Sequence, residues 1–114
     1  LLYVAIREAR AMAEAGYAPP PLARAIPVAG KNGIATFEMM LVNMKEGGMI
    51  SAHDYRVAKA AATALCGGDI ETGSLVDEEW LLTIERRQFV ELLKTPETQA
   101  RIKHMLDTGK PLRN

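Results

Sequence analysis

The sequence lacks the features that define several common protein classes. Its single cysteine, Cys66, cannot form an internal disulfide, which favours a reducing compartment. The 14 basic and 14 acidic residues give a formal net charge of zero, whereas nucleic-acid-binding domains usually carry a basic excess. No apolar run approaches about 18 residues, so the sequence predicts no transmembrane span. We therefore expect a globular chain without a nucleic-acid partner.

The residue spacings of common catalytic and metal sites are also missing. His53 and His104 lie far apart, and Cys66 has no second cysteine at CxxC distance, so we predict no metal site. No glycine-rich loop matches a phosphate or dinucleotide fingerprint, and no GxSxG motif occurs. The glycines of the Cys66–Asp69 segment, CGGD, follow a helical segment and are better suited to end a helix than to hold a phosphate. We predict no catalytic residue in this chain.

Apolar residues recur with helical periodicity, which predicts an all-α fold, a small bundle of four or five helices. The expected helices are 1–15, ended by Gly16; 34–45, capped by Asn32; a third from Ser51 to Cys66, with Asp54 completing a capping box; 78–94; and 96–108. Tyr17–Gly33 is predicted to be a long loop that contains three consecutive prolines. Ala25–Ala29 is the one β-like run, and Pro27 argues against a strand there.

The C-terminal helix pair, 78–94 and 96–108, has the clearest local signals. Asp77 and Thr95 can cap the two helices, and Pro96 suits the first helical position. The apolar faces of the pair consist of Leu81, Leu82, Phe89, Leu92 and Leu93 on the first helix and Ile102, Met105 and Leu106 on the second. Faces of this width must be covered, either within this chain or by another one.

Glu85 interrupts the first of these apolar faces, between Leu81 and Phe89. A buried carboxylate must be paired or protonated, so Glu85 is a buried-carboxylate candidate. One interpretation is a structural ion pair with an arginine, either Arg101 or one in the rest of a larger protein, and the other is an acid with a raised pKa.

A second stripe, on the helix 34–45, also allows two interpretations. It consists of Ile34, Phe37, Met40, Leu41 and Met44. Methionine-rich stripes adapt to irregular surfaces, so these residues either pack in an ordinary core or form the wall of an acyl-chain pocket.

The beginning of the chain has a helical pattern but no initiating methionine. Leu1 to Val4 already belong to the first apolar face, and no signal-peptide layout is present. We expect residues 1–114 to be a single helical domain and a C-terminal fragment of a larger multidomain protein.

Three segments of the chain resemble a known family. They are ISAHDYRVA (50–58), CGGD (66–69) and the stretch from Leu75 to Asn114, which includes TPETQARIKHMLDTGKPLRN; AEAGYAPP near the start is similar as well. They look like the C-terminal end of large bacterial 3-hydroxyacyl-CoA dehydrogenases that carry an enoyl-CoA hydratase (crotonase-like) domain last. The resemblance covers essentially all 114 residues.

The resemblance implies a role within a cytoplasmic enzyme of fatty-acid β-oxidation. The parent would use NAD and a CoA thioester substrate, while this chain would hold neither cofactor nor catalytic residue. It would act as a C-terminal cap and assembly region, would contact the rest of the parent polypeptide and would self-associate. Contact with acyl-CoA is possible through Phe89 and Lys110. The alternative is a stand-alone helical module that binds acyl ligands or other proteins.

Overall fold

The computed structural model describes all residues 1–114 and confirms the all-α class. Five helices are present: α1 (Leu2–Glu14), α2 (Gly30–Glu46), α3 (Ala52–Leu65), α4 (Glu78–Leu93) and α5 (Pro96–Thr108). Two short strands, β1 (Ile26–Pro27) and β2 (Leu75–Val76), pair antiparallel. None of the helices combines the length and the apolar character that crossing a bilayer requires.

Local capping signals place most helix ends where the sequence predicts them. Ser51 accepts a hydrogen bond from the Asp54 amide, and the Asp54 carboxylate accepts one from the Ser51 amide, which confirms the capping box of α3. Asp77 caps α4, and Thr95 caps α5 with Pro96 at its start. Gly109 ends α5 at a φ of 68°, a left-handed conformation that glycine adopts without steric cost.

The predicted start of α2 is wrong by four residues, and Asn32 is not its cap. The helix begins at Gly30, where no side chain caps the first turn. Instead the Gly30 amide donates to the Cys66 carbonyl at 2.8 Å, and the Lys31 amide donates to the Ile70 carbonyl at 2.9 Å. Because carbonyls from a segment distant in the sequence satisfy these amides, no local cap signal marks the start of α2.

The two strands occupy part of what was predicted to be loop. Ile26 lies opposite Val76, and Pro27 lies opposite Leu75. The prediction that Pro27 argues against a strand within Ala25–Ala29 is wrong, because a sheet of two strands has only edges, where a missing amide donor is tolerated. The short sheet attaches the segment before α2 to the segment before α4.

A small core lies along α3, which packs against α2 and against α4. Its buried apolar residues are Val28, Leu41, Ala60, Ala62, Cys66 and Ile84. Gly67 packs closely against this core. It has a φ of +82°, and a Cβ built on it would lie only 2.8 Å from the Val28 side chain. In addition, the Trp80 indole N–H donates to the Gly67 carbonyl at 2.9 Å, which fastens α4 to the end of α3.

The chain is much less compact than a folded domain of the same length. Its radius of gyration is 18.8 Å, whereas a compact domain of this length would have about 13 Å. Its accessible surface is 8529 Å², against about 6200 Å² for a folded monomer of the same mass. Only 11 of 114 residues are buried, and α1 contributes none of them. The helices therefore do not enclose a complete interior of their own.

Candidate functional site

An open apolar groove runs between α3 and α4. Its volume is about 530 Å³, and nine of its eleven lining residues are hydrophobic. The α3 side consists of Val57, Ala60, Ala61, Ala64 and Leu65; the α4 side consists of Leu81, Leu82, Glu85, Gln88, Phe89 and Leu92.

The groove follows from the sizes of the side chains on the two helices. Ala60, Ala61 and Ala64 are small, so the α3 side leaves space beside the larger leucines and Phe89 of α4. Leu65 is 78% exposed and Phe89 is 54% exposed. Contiguous apolar surface of this kind marks a binding or packing site in folded proteins.

Glu85 lines the groove but is exposed, so its predicted burial does not occur within this chain. The physical reason is that no segment of the chain covers this face of α4. None of the seven ion pairs includes Glu85. The suggested partner Arg101 instead binds Asp54, with 2.7 Å between the guanidinium nitrogen and the carboxylate oxygen. Glu85 is thus a carboxylate without a cationic partner in an apolar groove.

The two residues proposed to contact ligand lie in different places. Phe89 lines the groove together with Glu85. Lys110 follows the end of α5, is exposed, and does not line the groove. Their joint contact with acyl-CoA stays a prediction.

The methionine-rich stripe of α2 is partly buried and partly exposed to solvent. Leu41 is buried, Ile34 and Met44 are half-buried, and Phe37 and Met40 are exposed. The main cavities of the chain are lined by other residues. The stripe therefore contributes to the core through Leu41 and leaves part of its apolar surface in contact with solvent.

A polar cluster that sequence reasoning missed joins α2 to α3. The Glu38 carboxylate accepts hydrogen bonds from Lys59 and from the Tyr55 hydroxyl, the latter at 2.9 Å. The bond from Lys59, followed by the one from Tyr55, lowers the pKa of Glu38. The same carboxylate raises the pKa of Lys59 and of Tyr55. Because the partners are 17 and 21 residues apart, no local pattern indicates this pairing.

A second polar cluster attaches α5 to the start of α3. Asp54, which belongs to the capping box, also forms an ion pair with Arg101. Arg101 in turn donates hydrogen bonds to the side chain and to the backbone carbonyl of Asn114. The hydrogen bond from the Ser51 amide and then the Arg101 guanidinium lower the pKa of Asp54. Buried His53 shares a hydrogen bond of 2.9 Å with the Thr98 hydroxyl. These contacts fix the orientation of α5.

The chemistry available to these groups is that of packing and ion pairing. No three His, Cys, Asp or Glu side chains lie close enough together to hold a metal ion. Cys66 is buried, and burial raises the pKa of its thiol, which disfavours the reactive thiolate. The feature that most needs a partner is the uncovered groove.

Comparison with known proteins indicates that the chain is similar to one part of a larger dehydrogenase. It is 42% identical, over all 114 residues, to a probable 3-hydroxyacyl-CoA dehydrogenase of Bacillus subtilis (strain 168). The chain spans only 14% of the length of that relative. No family model and no solved structure matches the chain. The similarity agrees with the dehydrogenase part of the resemblance noted in the sequence.

Proposed function

We propose that this chain is a non-catalytic helical region of a 3-hydroxyacyl-CoA dehydrogenase polypeptide and packs against the rest of that polypeptide. The observation that carries the proposal is the accessible surface of 8529 Å². It exceeds the surface of a folded monomer of equal mass by about 2300 Å². Apolar side chains contribute much of the exposed surface, and such a surface favours association.

The similarity to the Bacillus subtilis protein supports this assignment. It extends over the entire chain, yet most of the relative lies outside the matched region. A region of this kind needs no independent interior, because its apolar faces can be covered by the remainder. In the parent we propose NAD and a CoA thioester as cofactor and substrate, an enoyl-CoA hydratase domain, a cytoplasmic location, and a C-terminal cap role for residues 1–114.

The apolar stripe of α5 is a surface suited to this packing. Its three residues lie on one side of the helix; Ile102 is 40% exposed, Met105 46% and Leu106 79%. Arg101, which lies one helical turn before Met105 and borders the stripe, holds α5 through its ion pair with Asp54. Leu106 thus remains available for packing on a helix whose orientation is fixed.

Binding in trans tests the proposal. The Bacillus subtilis relative, produced without its matched segment, should bind the 114-residue chain in sedimentation velocity measurements. The substitution Leu106→Glu should weaken this binding about tenfold or more, since it places a charge in an apolar interface. Leu22→Glu is the matched control, because Leu22 is 72% exposed and lies outside the helices. Failure of the wild-type chain to bind would contradict the proposed function.

A second candidate function is binding of an acyl ligand, and the apolar lining of the groove favours it. Phe89 would contact the acyl chain, and Lys110 would contact the anionic part of acyl-CoA. Titration calorimetry should then give a heat of binding that Phe89→Ala reduces. Absence of heat at millimolar acyl-CoA would exclude this candidate.

A further inference from the structure

We propose that the groove between α3 and α4 receives α1 of a second copy of this chain, so that two copies exchange their first helices. This inference goes beyond the proposed function, which requires only that the chain pack against the rest of a larger polypeptide. It is carried by two uncovered apolar surfaces in one molecule, α1 and the groove, and by the charges that accompany them.

Helix α1 is long enough to cover the groove. As a helix of 13 residues, α1 is about 20 Å long. The groove follows α4 from Leu81 to Leu92, a distance of about 17 Å along the helix axis. An amphipathic helix in an apolar groove is a common mode of recognition.

The apolar face of α1 has no other partner in the structure. Leu2, Ile6, Ala9 and Ala13 share one side of the helix, and no residue of α1 is buried. None of the residues that line the groove belongs to α1, so the helix does not fill the groove of its own chain.

Charge complementarity selects this occupant over an acyl chain. Glu85 lies in the groove without a cationic partner, and an acyl chain would bury that carboxylate without compensation. In α1, Arg10 follows Ile6 by one helical turn and therefore borders the apolar face. None of the ion pairs of the chain includes Arg10. An α1 helix in the groove can pair Arg10 with Glu85 while its apolar residues cover Leu81 and Phe89.

The segment between α1 and β1 favours exchange between copies. Residues 15–25 are exposed throughout and include Pro19, Pro20 and Pro21. Consecutive prolines form stiff, extended segments that hold their two ends apart. Exchange of an identical element across such a segment is an economical way to form a dimer.

Charge reversal tests the exchange directly. In sedimentation velocity experiments the wild-type 114-residue chain should form a dimer. Arg10→Glu and Glu85→Arg should each raise the dimer dissociation constant about tenfold or more, because like charges would meet in the groove. Matched controls with the same charge change at exposed sites are Arg24→Glu and Glu46→Arg, and they should leave the constant unchanged. Far-ultraviolet circular dichroism verifies that each variant retains its helices.

Mixing the two single variants distinguishes exchange from closure within one chain. In a mixed dimer, each α1 meets a groove of opposite charge, so equimolar Arg10→Glu and Glu85→Arg chains should associate about as tightly as the wild type. A monomeric wild type, or single variants that do not recover on mixing, would overturn the inference.

The outcome is independent of the binding test with the dehydrogenase remainder. A chain that binds the remainder as a monomer would retain the proposed function and refute the exchange. A chain that dimerises through Arg10 and Glu85 but does not bind the remainder would support the exchange and refute the proposed function.

Discussion

Helices α1 and α3 are alike in length and alanine content but differ in how much of each is buried. They have 13 and 14 residues, and both are rich in alanine. Yet α3 contributes buried His53, Ala60 and Ala62, whereas every residue of α1 is exposed. The comparison teaches that an apolar face predicts that a helix will be covered, but not which element covers it. Coverage depends on groups distant in sequence, such as Val28 and Ile84 near the end of α3.

The largest difference in unfolding free energy between the two helices is expected from substitutions of the glycines that follow them. Gly67 and Gly16 have similar positive φ values, +82° and +78°, but only Gly67 has neighbours that an added Cβ would meet. Gly67→Ala should lower the free energy of unfolding by about 2–4 kcal/mol, since left-handed strain and a clash with Val28 add. Gly16→Ala should cost about 1 kcal/mol or less, from strain alone. Urea unfolding followed by circular dichroism measures both; equal losses would mean that α1 is as firmly packed as α3.

A smaller difference is expected when an alanine of each helix is enlarged. Ala62→Leu introduces extra volume at a position that is only 5% exposed, and it should cost about 1–3 kcal/mol of unfolding free energy. The matched change Ala11→Leu lies on an exposed side of α1 and should alter stability by less than about 0.5 kcal/mol. Thermal or urea unfolding compares the two. An unchanged stability for Ala62→Leu would show that the core around α3 can accommodate a larger side chain.

The sequence predicted the helices well wherever a signal was local. Ser51 with Asp54, Asp77, and Thr95 with Pro96 each act within one helical turn, and each helix start follows them. The start of α2 was missed because its first amides bind carbonyls of Cys66 and Ile70, more than 30 residues away. The strands were missed for a similar reason, since each is only two residues long and exists through the other.

The candidate site was predicted only in part. Helical spacing correctly brought Leu81, Glu85, Phe89 and Leu92 to one side of α4. It could not reveal that the alanines of α3 form the opposite side, nor that this face remains uncovered. The pairing of Arg101 with Asp54 instead of Glu85 likewise depends on how α5 packs against α3, which periodicity does not encode.

The smallest expected effect on stability concerns one acidic side chain in each of the two helices. The pKa of Asp54 is lowered by the Ser51 amide and by Arg101, so its contribution to stability is fully present above its unfolded-state pKa of about 3.9. That contribution is lost as the pH falls through the lower pKa of the folded state. Because the Asp54 side chain remains 32% exposed, solvent screening limits the contribution to about 1 kcal/mol or less.

Asp54→Asn should therefore flatten the dependence of unfolding free energy on pH in the acidic range. Glu8→Gln is the matched change in α1, where Glu8 pairs only with the adjacent Arg7 at the surface, and it should leave the profile unchanged. Urea unfolding at a series of acidic pH values measures both profiles. An equal flattening by the two substitutions would mean that the ion pair between Asp54 and Arg101 stabilises α3 no more than an exposed pair stabilises α1.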